Sequence, residues 1–532
     1  MSIRTRDLGR QTGMTRLTEF TSYEDAKKHY SKDRLWELFD GTRERFNIAH
    51  ECIDRHVDGD NVALRVAHAD GRDEVISFEE ISRRSSQIAH FLTAKGIGKG
   101  DRVAVMIDPS LAFYCALFGV IKAGAVAVPM FSLFGPDGIR LRVGDCKPEV
   151  FFTNAEKAPE AVEGGARNVI VVDQEFLDGL NDLPATFDWD TTGRDLAVLQ
   201  YTSGTTRALP AAVQHNHQSI VTLMVAALYA TGIRPGDRFF CPSSPAWGHG
   251  LWHGTLAPLA IGVSTGTFSG KFDPVRLLKA LQDFRITNLT AAATHYRMMR
   301  NSGEAENYTY SFDKLSFTGE PIDSETAHYV ERVFGTKVRS MYGTTEIGVI
   351  IANYPGADDL EVRDGAMGKA VPGVEVEVQR ADGSPADPGE TGELMVRKRG
   401  EWFPTKDLGR VDEDGYFYHG GRADDVIISA GWTIGAVEVE DAVLSHPAVA
   451  ECGVIGAPDA VRGLVVKAYI ILKAEETDGL VEDIQNHVRA RLARHEYPRQ
   501  IEFVSELPKT PAGKVNRKIL RDQEAKKFEA AE

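Results

Sequence analysis

The stretch Leu196-Ala-Val-Leu-Gln-Tyr-Thr-Ser-Gly-Thr-Thr-Arg207 decides how this chain is read. The apolar run Leu196 to Leu199 is short and bounded by turn-forming residues, so it predicts a buried strand; a hydroxyl-rich turn follows, and a helical pattern begins near His217. Strand, turn and helix in that order are the unit of an α/β fold. A loop with hydroxyls at Thr202, Ser203, Thr205 and Thr206 around Gly204 can turn backbone N–H and side-chain OH groups towards a polyphosphate. The spacing of a Walker loop is absent. The other glycine cluster, Gly96-Ile-Gly-Lys-Gly100, precedes a strand instead of following one, which rejects a dinucleotide fingerprint.

Outward from this stretch the same texture repeats. Val103 to Ile107, Ala125 to Val128 and Val169 to Val172 are further β-branched runs separated by amphipathic segments, predicting parallel strands with helices on both faces. Leu111 to Phe131 is apolar enough to suggest a membrane span, but Gly119, Lys122, Gly124 and Pro129 interrupt it, and it reads as a buried helix passing into a buried strand. From about Val374 to Arg399 the pattern alternates, as in Val374-Glu-Val-Glu-Val378 and Glu393-Leu-Met-Val396, predicting a small antiparallel subdomain. Glycines and charges at Gly420-Gly-Arg-Ala-Asp-Asp425 suggest a link, here bounded as residues 421–425, between an N-terminal domain of residues 1–420 and an α+β C-terminal domain of residues 426–532. In the latter, Val437 to Leu444 and Leu480 to Ala493 read as helices, and Val454 to Gly456 and Val465 to Leu472 as strands.

Composition bounds the function. At about 150 residues per domain, 532 residues imply roughly three to four structural units. The formal charge of −16 disfavours global nucleic-acid binding, although residues 486–521 hold nine Lys or Arg against three Glu, which reads either as a solvated helix face and basic tail or as a cationic lid for an anionic substrate. Five scattered cysteines without a C-x-x-C pair argue against a disulfide framework or a zinc site and fit a reducing cytoplasm. Arg4, Arg6, Arg10 and Arg16 are not followed by an apolar core, so a secretory signal is not expected.

Thr318-Gly-Glu-Pro321, Tyr342-Gly-Thr-Thr-Glu346, Lys406-Asp-Leu408, Tyr416 to Arg422 with Asp424 and Asp425, and Pro508-Lys-Thr-Pro-Ala-Gly-Lys514 follow the Thr202 to Thr206 loop in one fixed order. Together they resemble the adenylate-forming enzymes, the superfamily of acyl- and aryl-CoA synthetases, nonribosomal peptide adenylation domains and luciferases, over about residues 40–522. The resemblance implies a substrate set of ATP, a carboxylic acid and coenzyme A, with Mg²⁺. It implies that Tyr342 lies along the adenine with Gly319, Glu320 and Pro321 as the facing wall, that Gly343 and Thr344 belong to the nucleotide site, and that Thr345 donates to the α-phosphate. It further implies that Glu346 holds Mg²⁺ through a hard carboxylate oxygen, that Asp407 accepts from the ribose hydroxyls with Arg422 beside it, and that Asp424 is the hinge. Lys514 would bring a cation to the junction of carboxylate and α-phosphate, where charge grows in the transition state.

The chain departs from the family's phosphate loop at Arg207-Ala-Leu-Pro210, which is one residue longer and has Ala211 where lysine is usual; Arg207 either replaces that charge or faces solvent. Thr433 replaces a frequent arginine. Ala457 to Lys467, with Arg462, is similar to the medium-chain acyl-CoA synthetases, and Gly431 matches the glycine of the pantetheine tunnel, so CoA is the expected acceptor, although Leu464 stands where glutamate is common. By resemblance the acid lies between Trp247-Gly-His-Gly-Leu-Trp-His253, notably Trp247, His249 and Trp252, and Ala291-Ala-Ala-Thr-His-Tyr296, notably Ala293 and His295, above a floor at Gly343. A short or medium acid, branched or polar, fits this segment, and benzoate-like acids stay open, as do carrier-protein loading and a non-catalytic nucleotide-binding relative.

Overall fold

The computed structural model describes residues 15–59, 61–201, 212–344, 347–422, 427–429, 432–459, 463–492, 496–510 and 514–529. The decisive run is the strand Leu196–Tyr201, within a six-stranded sheet ordered Val169–Val171, Val150–Thr153, Arg102–Met106, Val126–Pro129, Leu196–Tyr201 and Ala212–Asn216. The first five run parallel and the last returns antiparallel, Val198 opposite His215. The chain therefore leaves and re-enters the 202–211 loop on adjacent strands; the return strand Ala212–Asn216 was not expected, and the helix follows it at Ser219–Tyr229.

The apolar run resolves into the helix Leu111–Lys122 and the strand Val126–Pro129. Its lysine is buried but satisfied: Lys122 Nζ donates to Ser82 O and Ser86 Oγ at 2.9 Å each and pairs with Asp54 at 2.6 Å. A cation left unpaired there would be very costly, which is why its partners come from three-sided packing rather than from water. Among the described residues no helix is long and apolar enough to cross a membrane.

A second sheet has 13 strands. Val62–His68, Thr265–Ser269, Phe239–Phe240, Asn288–Ala292, Lys314–Thr318 and Val338–Thr344 form its parallel block, and antiparallel strands continue it from Gly348–Ala352 to Phe417–Arg422. The antiparallel part is thus larger than the 374–399 segment expected, and it is not separate. The joint is Val338–Thr344: Val338 to Ser340 pair parallel with Leu315 to Phe317, then Met341 to Thr344 pair antiparallel with Gly348 to Ala352. One strand serving two sheet types in succession leaves no periodicity to read.

C-terminal strands Trp432–Ile434, Ile427–Ser429, Gly463–Leu472, Val449–Asp459 and Gln500–Phe503 form a third sheet, packed by the helices Ala436–Leu444, Leu480–Arg489 and Arg517–Glu529. Val439, Val443, Val454, Val466, Ile470, Ile484 and Val488 make a core of their own. The fold is α/β with an α+β C-terminal part, as the sequence predicts.

Candidate active site

The joint strand delivers the first site residue. At Met341 the chain changes partner, and a register shift between Tyr342 and Gly343 turns it into a cavity of about 1510 Å³ between the large N-terminal part and the C-terminal part. Gly343 is fixed by contact: a Cβ there would lie 2.1 Å from Gly348 O, so only glycine lets the hairpin close. Tyr342 donates its hydroxyl to Asp407 Oδ2 at 2.6 Å, and Asp407 stands opposite Arg422 on the neighbouring strand. Three residues expected around one nucleoside therefore sit together, with Thr344 alongside in the cavity wall.

The facing wall is Thr318 to Pro321, which ends the strand Lys314–Thr318. Gly319 has φ +98°, a left-handed conformation that glycine takes without strain. Glu320 is occupied: Thr294 Oγ1 donates to it at 2.7 Å and Arg297 Nη2 at 2.6 Å, while Arg297 and Arg300 both reach Asp323 at 3.2 Å. Glu320 is therefore a structural anion that orients the wall, not a free base.

Lys514 comes from the other side. Thr510 N–H donates to Lys514 O at 2.7 Å, Lys514 N–H donates to Thr510 Oγ1 at 3.3 Å, and Lys509 bridges Val515, so the backbone on both sides of Lys514 is tied down. A Cβ built on Gly319 would have Lys514 Cε at 3.5 Å and Trp247 Cη2 at 3.7 Å. The lysine of the C-terminal part and the first tryptophan of the expected acid pocket thus meet at one glycine. Asp441 also joins the two parts: its carboxylate accepts from Ser324 N–H at 3.1 Å and Ser324 Oγ at 3.3 Å. Of the nine basic residues in 486–521, Arg517 is held by Glu440 and Lys509 by Glu451.

The acid side is built on a π-helix, His249–Leu256. Such wide turns are rare and recur at functional sites. Gly250 and Gly254 let it lie close, since a Cβ would stand 2.1 Å from Ser244 O and 2.7 Å from Cys241 Cβ respectively. Trp252 donates its indole N–H to Gln200 Oε1 at 2.9 Å and packs against His215 with ring centroids 4.4 Å apart and ring planes tilted by 46°. Burial pulls the rings of His215 and His253 down to about 4, so both are neutral near pH 7.

Trp247, His249, Trp252 and Gly343 line the cavity, but Ala293 and His295 do not. The helix Ala293–Asn301 begins at Ala293, which is fully buried, and His295 turns back to accept Ala292 N–H at 3.2 Å and lies 4.7 Å from the Phe272 ring. Gln200, His215 and His253 line the cavity without having been assigned to the site. An aromatic-rich segment signals a pocket, but which side chains face it depends on the π-helix and on the return strand. The expected Thr202, Ser203, Gly204, Thr205, Thr206 and Arg207, Thr345 and Glu346, Asp424, Gly431 and Arg462 lie outside the described residues. Among the described residues no group of three or more His, Cys, Asp or Glu is placed to hold a metal ion.

Comparison with known proteins agrees with this geometry. Residues 54–401 match the AMP-binding enzyme family and residues 438–514 the AMP-binding enzyme C-terminal domain. The chain is 32% identical to the uncharacterised acyl–CoA ligase YtcI of Bacillus subtilis (strain 168), covering 90% of this chain and 96% of that one. It is 31% identical to the acetyl-coenzyme A synthetase of the same organism, covering 94% of each. Among solved structures it is similar to the anthranilate CoA ligase AuaEII in complex with anthranoyl-AMP, with a TM-score of 0.82, 27% identity, and coverage of 91% of this chain and 98% of that one.

Proposed function

We propose, on the premise that the chain belongs to the AMP-binding enzyme family and is an AMP-forming acid–CoA ligase, that its acid is compact, of short to medium size, and that Lys514 drives the first half-reaction. In that step a carboxylate oxygen attacks the α-phosphorus of ATP and pyrophosphate leaves. In the second, the CoA sulfur adds to the acyl carbonyl, the thiol proton passes to solvent and AMP leaves. A carboxylate cannot expel hydroxide readily; AMP is the better leaving group.

The observation that carries the reading is the meeting of Lys514 and Trp247 at Gly319. It supports a cation at the border between nucleotide and acid, where negative charge accumulates as the α-phosphorus takes a fifth oxygen. Tyr342 and Asp407, hydrogen-bonded to each other in the same cavity wall, support a place for the nucleoside. A compact acid is supported by the bulk of Trp252 in the cavity wall, held in place by Gln200 and His215. Glu346 is the carboxylate proposed to hold Mg²⁺, which when bound would offset phosphate charge. Residues 426–532 act as a lid on residues 1–420, turning at 421–425 with Asp424 as hinge, and Gly431 and Arg462 serve CoA. The five thiols, all buried, suit a reducing cytoplasm.

The test is ATP–pyrophosphate exchange across a panel of carboxylic acids, followed by free CoA and then a phosphopantetheinyl carrier protein. Exchange with a compact acid and thioester formation on CoA are expected. Transfer to the carrier alone would replace CoA as acceptor, and no exchange with any acid would leave a nucleotide-binding protein.

A further inference from the structure

We propose that the hydrocarbon part of the acid lies along one face of the helix Ser219–Tyr229, and that Tyr30, from the N-terminal segment, closes the far end of this route and sets the length of acid accepted. The inference rests on the ligase reading above and adds the path and the residue by which the acid is measured.

The cavity does not end at Trp252 and Gly343. Ser219, Thr222, Leu223 and Ala226, one face of the helix at positions i, i+3, i+4 and i+7, also line it. The near end of this face is marked by His215, on the strand that leads into the helix, whose ring packs against Trp252. The far end is marked by Tyr229, whose ring meets that of Tyr30 edge-on with centroids 6.5 Å apart. From Ser219 to Ala226 the helix advances seven steps of about 1.5 Å, about 10 Å in all. The helix packs against the strand Gly348–Ala352, where Val349 stands opposite Gly343, and both Val349 and Val374 line the same cavity.

Leu223, Val349, Val374 and the Tyr30 ring pack against the main core and remain partly exposed, and all four face the cavity. Apolar surface in a cavity continuous with the acid pocket favours a hydrocarbon ligand. Among the described residues that line this stretch Lys32 alone is charged, and it is exposed, so a second charged group on the acid would find no buried partner here. Tyr30 is held as a stop. It lies between the helices Tyr23–His29 and Lys32–Trp36, the second of which packs against Ser219–Tyr229. Asp359 anchors the first by accepting from Tyr23 N–H at 2.6 Å and Ser22 Oγ at 2.8 Å, and the Tyr23 hydroxyl donates to Ala370 O at 2.8 Å. The Tyr30 ring sits so closely on Gly373 that a Cβ there would overlap it. A ring wedged between a helix end and bare backbone limits the acid by volume.

The experiment uses the full chain in ATP–pyrophosphate exchange with straight-chain acids from butanoate to tetradecanoate. Each kcat/KM is taken relative to butanoate within one variant, so a partly unfolded preparation does not change the profile. Each methylene added inside the route should raise kcat/KM about fourfold. The profile should then break, falling about tenfold, at an acid of about eight to ten carbons, since three bonds span about 3.3–3.6 Å. Tyr30→Ala should move the break about two to four carbons longer and Ala226→Phe about as many shorter. Tyr30→Phe should leave the break in place, because the ring and not the hydroxyl is the stop. A break that moves in neither Tyr30→Ala nor Ala226→Phe, or exchange with other acids of the panel but with no straight-chain acid, would overturn the proposal and leave the ligase reading intact. Absence of exchange with every acid would remove both.

Discussion

Asp441 joins the C-terminal part to the N-terminal part in the observed arrangement, and on the proposal that the C-terminal part is a lid its removal should separate the two half-reactions. Its carboxylate accepts from Ser324 N–H and Oγ at 3.1 and 3.3 Å. Ser324 opens the helix Ser324–Phe334, where first-turn N–H groups lack partners within the helix and the dipole favours an anion. A hydrogen bond to a charged acceptor contributes about 1.5–3 kcal/mol. Burial, with Asp323 beside it, holds the Asp441 carboxyl above the ordinary carboxylate range, so desolvation consumes part of that gain. The lower end, about 1.5–2 kcal/mol, is therefore appropriate.

If the observed lid position and its alternative are about equally populated, a loss of that size lowers the occupancy of the observed one about seven- to fifteenfold. Lys514 reaches Gly319 in this position, so ATP–pyrophosphate exchange in Asp441→Ala should fall by about the same factor. Conversion of supplied acyl-AMP and CoA to thioester, which does not need Lys514 at the α-phosphate, should be undiminished. Ser324→Ala keeps the backbone bond and loses only the longer one, so exchange should fall about two- to threefold. Equal loss of both half-reactions in Asp441→Ala would refute the reasoning, because a contact specific to one lid position cannot support both.

Lys514→Ala should lower exchange by at least about a hundredfold while still turning over supplied acyl-AMP, and parallel loss of the two steps would contradict its assigned role. Gly343→Ala places a Cβ 2.1 Å from a carbonyl that cannot swing away, so about 1–3 kcal/mol or more of stability should be lost together with ATP affinity; an unchanged Tm and KM for ATP would show the hairpin yields. Glu524 is held down to about 2 because Lys527, Tyr469 and Lys467 outweigh its burial. A carboxylate depressed by folding contributes stability above its unfolded value of 4.5 and loses it as the pH falls through the folded value. Urea unfolding of the chain should therefore weaken between about pH 5 and pH 2. Glu524→Gln should be weaker at pH 7 and flatter over that range, and parallel pH curves for the two proteins would count against it.

What the sequence made legible follows the range of the interaction that fixes each feature. The strand Leu196–Tyr201 and the helix Leu111–Lys122 are written locally, in apolar runs ended by turn residues or glycine, and both were read to within a few residues. Tyr342 with Asp407, 65 positions apart, and Ser324 with Asp441, 117 apart, are set by sheet order and lid docking; only the first pair was expected, and through resemblance. The antiparallel region was underestimated because its strands are irregular, with register shifts at Glu393 to Met395 and at Asp407 to Gly409 that break the alternation. Ala293 and His295 were placed in the pocket because an aromatic-containing segment was read as one surface. The helix starting at Ala293 instead sends consecutive residues to different sides.

The same topology brings two neighbouring strands onto one indole. Gln200 lies at the end of the strand entering the 202–211 loop, and His215 lies on the strand leaving it. Both close on Trp252, one through the indole N–H and the other through a tilted ring contact. The indole is 7% exposed and sits on a π-helix held close by Gly250 and Gly254, so it cannot shift without disturbing Ser244 and Cys241. A buried, close-packed element of this kind transmits displacement instead of absorbing it. Displacement of Trp252 therefore bears on both the strand that ends at Tyr201 and the strand that begins at Ala212, the two that flank residues 202–211.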